Sequence, residues 1–103
     1  MSHGGKKKDK KDELIRLAIQ INGRFKPDDF AKWIKQHATK ADLIGWVREN
    51  SRGELDVELQ GPGRIVKKLL TIIAEGPRGA IINRITSAKT QTVSWETSFL
   101  YRR

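Results

Sequence analysis

The side chains best equipped to do chemistry in this chain are its cations. Among 103 residues there are 21 Lys and Arg against 12 Asp and Glu, a formal charge of +9. Such a balance draws phosphate-rich partners by long-range attraction. Five of the lysines (Lys6, Lys7, Lys8, Lys10 and Lys11) crowd the start with only Asp9 and Asp12 against them, a local +3. Others fall in small groups: Arg24 with Lys26, Lys32 with Lys35, and Arg64 with Lys67 and Lys68. A scattered basic surface of this kind can touch nucleic acid weakly and without regard to sequence.

Other chemistries are poorly supplied. No Ser-His-Asp set, metal-ligand cluster or nucleotide-binding glycine string stands out. Gly61-Pro62-Gly63 reads as the start of a helix. His37 has no His or Cys at ligand spacing and reads as a boundary residue. Trp33, Trp46 and Trp95 read as core or boundary aromatics. Zero cysteines exclude a disulfide scaffold and thiolate zinc sites. No apolar run reaches the roughly 18–20 residues that span a bilayer. No cofactor or membrane contact is expected, and a monomer in a reducing cytoplasm fits.

The elements that must hold these residues follow from periodicity. Residues 1–12 carry nothing apolar after Met1 and are expected to form a disordered basic tail ahead of one domain, 13–103. Glu13 to Ile21 alternates with Ile15, Leu17, Ile19 and Ile21 on one face, the pattern of a central strand. Asn22 to Pro27 reads as a loop. Helix one starts near Pro27-Asp28-Asp29, where early acids complement the dipole, and its stripe is Phe30, Ile34, Ala38 and Ala41. Leu43 to Val47 and Leu55 to Leu59 form a hairpin turned at Asn50-Ser51-Arg52-Gly53. Pro62 to Glu75 is a second helix with a stripe of Ile65, Leu69, Ile72 and Ile73. In the strand Ala80 to Ser87, Ile81 and Ile85 share a face; Val93 to Arg103 supplies a last strand anchored by Trp95 and Phe99. The order predicts a ferredoxin-like α/β sandwich of the α+β class (βαββαβ), two helices on one face of an antiparallel sheet. Glu54, Asp56 and Glu58 on the open face would repel an RNA backbone there.

Several of these strings resemble one family. Gly45-Trp46-Val47-Arg48, a turn ending in Gly53, an alternating strand and Gln60-Gly61-Pro62 are similar to the acylphosphatases, as are Glu75-Gly76-Pro77-Arg78-Gly79-Ala80 and Phe99-Leu100-Tyr101-Arg102. The resemblance covers about Leu14 to Arg103. It implies hydrolysis of acyl phosphates at a loop of backbone amides, with an arginine to neutralise charge and an asparagine to hold water. Carried over without a gap, the anion loop falls on Gly23, Arg24, Phe25, Lys26, Pro27, Asp28, Asp29 and Phe30. The catalytic arginine falls on Ala31 and the asparagine on Glu49. Pro27 removes an amide donor, and Asp28, Asp29 and Glu49 add negative charge. Asp28 or Asp29 could accept the amides of helix one, as an ordinary cap would.

These departures predict an acylphosphatase scaffold without hydrolytic activity, acting as a small binding module for a protein or an anionic partner. The alternative is acyl phosphate hydrolysis with substituted residues, Arg24 or Lys26 replacing the arginine and Asn50 the asparagine. A second alternative is weak, sequence-independent nucleic-acid binding through the tail and surface.

Overall fold

The computed structural model describes residues 13–103. The expected basic tail lies outside the described residues. β1 (Leu14–Arg24), α1 (Pro27–Lys40), β2 (Ile44–Glu49), β3 (Leu55–Pro62), α2 (Gly63–Glu75), β4 (Ile81–Thr90) and β5 (Phe99–Arg102) follow in order. They make a five-stranded sheet, β4-β1-β3-β2-β5. The first four strands pair antiparallel, and β5 joins the edge parallel to β2, which adds a strand to the expected βαββαβ unit. The ferredoxin-like α+β class is as expected.

The inner face of the sheet and the two helices enclose one apolar core. Leu17, Ile19 and Ile21 of β1 and Leu55, Val57 and Leu59 of β3 meet Phe30, Ala31, Ile34 and Ala38 of α1 and Val66, Leu69 and Ile73 of α2. Two glycines set how closely its backbones approach. A Cβ at Gly45, where φ is +138°, would lie 1.9 Å from the Glu58 carbonyl oxygen of β3. At Gly23 it would lie 2.1 Å from the Ile81 carbonyl oxygen of β4.

Four expectations need correction. β1 does not stop at Ile21; it continues to Arg24 against β4, so the expected loop shrinks to Phe25 and Lys26. On α2 the buried line is Val66, Leu69 and Ile73, while Ile65 and Ile72 are only half-buried. The expected stripe is right at Leu69 and Ile73; 65-69-72 and 66-69-73 both have helical spacing, so periodicity alone does not choose between Ile65 with Ile72 and Val66. In β4 the faces swap. Asn22 pairs with Arg84 but Gly23 pairs with Ile82, so Asn83 is an extra residue, a bulge. Ile82 and Ile85 therefore reach the core and Ile81 is 58% exposed. Finally, β5 is only four residues long, and Trp95 is 75% exposed rather than an anchor.

The outer face carries a polar ladder. Arg16 of β1 donates to Glu58 (2.6 Å), Gln20 to Asp56 (3.1 Å) and Asn22 to Glu54 (2.8 Å). The segment between β4 and β5 crosses one end of this face as a strap. Glu96 accepts two bonds from Arg16 (2.8 and 3.1 Å), and Gln60 exchanges two 2.9 Å bonds with the Val93 backbone. Arg16 is thus an arginine with only 2% exposure. Burial works against its charge, but the bonds to Glu96 and Glu58 outweigh it and raise its pKa.

Candidate functional site: the start of the first helix

Pro27 opens α1, and Lys26 before it is extended at φ −85° and ψ 111°. The Lys26 carbonyl accepts the first helical bond from the Phe30 amide at 3.0 Å. Pro27 has no N–H, so Asp28 and Asp29 provide the outward-pointing amides of the first turn. No side chain caps them. The expected cap by Asp28 or Asp29 is not formed, because Asp28 is drawn elsewhere. Its Oδ1 accepts a 2.7 Å bond from the Tyr101 hydroxyl and lies 3.4 Å from Arg103 Nη2. Its Oδ2 pairs with Lys32 Nζ at 3.1 Å. The Tyr101 bond first, and Lys32 after it, hold the Asp28 carboxyl below the ordinary carboxylate value; in return Asp28 raises the Tyr101 phenol.

The first turn lies between two clefts. One, of about 270 Å³, is lined by Phe25, Lys26, Asp29 and Phe30 and closed by Pro77, Arg78, Gly79 and Ala80. Phe25 stands edge-on to Phe30 at 4.9 Å and makes an apolar wall. The other, of about 390 Å³, is lined by Asp28, Glu49, Tyr101, Arg102 and Arg103. Charge separates them. The first pairs two cations with one carboxylate; the second sets two cations against two carboxylates. A phosphoryl dianion is better matched by the first.

The structure therefore brings Phe25, Lys26, Asp29 and Phe30 together and puts Asp28 and Glu49 on the other flank. Arg24 ends β1 exposed. Ala31, where the resemblance looks for an arginine, is fully buried in the core. Asn50 serves the hairpin: its Oδ1 accepts from the Arg52 and Glu54 amides, and its Nδ2 donates to Glu54. Two residues at the candidate site, Arg78 and Tyr101, carry the resemblance in the sequence but are given no site role there. Arg78 carries a signal, a lone arginine between the chain breakers of Gly76-Pro77-Arg78-Gly79. The Tyr101–Asp28 bond spans 73 positions and leaves no local trace. Among the described residues no group of His, Cys, Asp or Glu is arranged to hold a metal.

A split βαβ sandwich with a fifth strand beside its hairpin and an open helix end over a cationic cleft defines a class of small α+β domain. The chain belongs to the acylphosphatase family, whose model matches residues 17–100. An acylphosphatase of Sinorhizobium medicae is 33% identical over 92 residues, 89% of this chain and 94% of that protein. One from Salinibacter ruber is 31% identical over 70 residues, 68% and 74% of the two chains. The crystal structure of acylphosphatase from Bacillus subtilis matches the fold with a TM-score of 0.80 at 18% identity, covering 86% of this chain and 99% of that one. These matches overturn the expected reading as an inactive binding module, which gives way to the hydrolytic alternative. Among the described residues no helix is long and apolar enough to cross a membrane.

Proposed function

We propose that this protein hydrolyses acyl phosphates, with substituted residues at the start of α1 receiving the phosphoryl group. Water attacks phosphorus, the bond from phosphorus to the acyl oxygen breaks, and the products are a carboxylate, inorganic phosphate and one proton. The Asp28 and Asp29 amides donate to the phosphoryl oxygens and offset their charge, as helix N-termini do. Lys26 on one lip and Arg78 on the other supply the cationic charge that Ala31 cannot, with Arg24 adding to the local field. Phe25, Phe30, Pro77 and Ala80 give the acyl group an apolar wall. Asp29 shares the cleft and orients the attacking water through its carboxylate.

The observation that supports this most is the uncapped first turn of α1, facing a cleft with two cations, in a chain related to acylphosphatases over most of its length. Benzoyl phosphate tests it. Turnover should exceed spontaneous hydrolysis by orders of magnitude, inorganic phosphate should inhibit competitively, and Arg78→Ala should lower kcat/KM by about 10²-fold. Decay of benzoyl phosphate at the buffer rate over a range of enzyme concentrations would refute it.

A further inference from the structure

Each helix gives one side to the sheet, and between them the outer layer holds a groove of about 290 Å³. Its floor is Ala41, Ile65, Leu69 and Ile72; its rim is His37, Lys40 and Lys68. Ile65 and Ile72 are the α2 residues that periodicity assigns to the core and that the structure leaves half-buried. Each packs against the core on one side and leaves apolar surface on the other. The lining is cationic, with Lys40 and Lys68 and no carboxylate; Lys32 is paired with Asp28, and Glu75 ends α2 three residues beyond Ile72. No Asp or Glu occurs from Phe30 to Ala41 or from Gly63 to Ala74, whereas Lys32, Lys35, Lys40, Lys67 and Lys68 do. All five lysines are exposed. Asp42, the next carboxylate along the chain, lines a separate depression with Thr39 and Leu43.

We infer that this groove docks an acidic amphipathic helix of a partner protein. Apolar side chains of the partner, repeating at i, i+3 and i+4, sit on Ile65, Leu69 and Ile72, and its flanking carboxylates meet Lys40 and Lys68. Shape decides between such a segment and an anionic bilayer. A membrane-binding face pushes apolar side chains outward into the acyl boundary, but here they line a hollow under a basic rim. Charge complementarity sets the sign of the partner, since no carboxylate lines the groove to welcome a basic one. The site lies away from Lys26 and Arg78, so the inference does not rest on the hydrolytic reading.

Fluorescence anisotropy tests it with the intact chain and a fluorescein-labelled synthetic peptide of Leu and Glu in amphipathic helical order. The controls are a peptide of the same composition in permuted order and vesicles containing phosphatidylserine. Expected are saturable binding of the ordered peptide, about tenfold weaker binding after Lys68→Glu, and a similar loss after Ile72→Asp. Amide shifts on binding should cluster at Ile65, Leu69 and Ile72. The far-UV circular dichroism and urea midpoint of Lys68→Glu should match the parent, which reports that the variant is folded. Equal affinity for the permuted peptide, indifference to Lys68→Glu, or preferential binding to the vesicles would each overturn the inference.

Discussion

Asp28 shows how one hydrogen bond sets the character of a helix end. It stands where a capping carboxylate belongs, yet Tyr101 and Lys32 hold it off the helix axis. Tyr101→Phe removes the strongest of these holds, so the Asp28 carboxyl should titrate closer to its ordinary value of 3.8, read by carboxyl-carbon NMR. The same variant should weaken phosphate inhibition, because a released Asp28 competes for the amides. Glu54 is likewise held below its ordinary 4.5, by Asn22 and then Asn50. Both carboxyls titrate lower in the folded chain than in the unfolded one. Their stabilisation is therefore complete above those ordinary values and is lost as pH falls through the depressed folded ones. Urea midpoints should be flat near neutrality and drop below about pH 4.5. Arg16 is a costlier residue to change. Arg16→Met would leave Glu58 and Glu96 facing each other without a cation, and urea unfolding should show a loss of about 3–5 kcal/mol.

At the scale of elements, alternation and helical spacing located every strand and helix, clearly for β1, β3, α1 and α2 with their dry sides and more weakly for β4, where only Ile82 and Ile85 turn inward. Gly53 turned the hairpin as its sequence implied, with φ at +76°. What periodicity missed was phase. On α2 two stripes fit equally, and only the position of the sheet makes Val66 core and Ile72 border. Ile73→Ala should cost about 2–4 kcal/mol and Ile65→Ala about 1 kcal/mol, by the same unfolding measurement. In β4 one inserted residue, Asn83, reverses the faces on its two sides. Bulges arise from pairing with a neighbour, and that neighbour is β1, some 60 positions away. The residues of the proposed site differ in how local they are. Phe25, Lys26 and Asp29 fall within one five-residue stretch at the β1–α1 junction, whereas Arg78 and Tyr101 arrive from distant parts of the chain. Gly45 was readable as a family residue, and its reason is steric: the Glu58 carbonyl occupies the place of a side chain.

Taken whole, the molecule divides its surface by chemistry. The helical layer is basic, the start of α1 opens on a cleft with two cations, and the outer sheet balances its acids against Arg16, Gln20 and Asn22. The strap belongs to that balance. Glu96→Ala removes its tie to Arg16 while leaving the bond to Glu58, so the loss should be about 1–3 kcal/mol, below that of Arg16→Met. Hydrogen exchange at the Val93 amide should quicken with it, since that N–H is held by Gln60 beneath the strap.

The kink at Asn83 also bears on how these molecules behave in a crowd. β4 is a border strand of ten residues with a row of backbone groups that another chain could zip onto. The surplus residue breaks the regular beat of that row near Ile81, its stickiest point, and Arg84 beside it repels an identical copy. Deleting Asn83 would straighten the border into a template for fibrils, and thioflavin fluorescence would then grow in a sample where the parent stays dark.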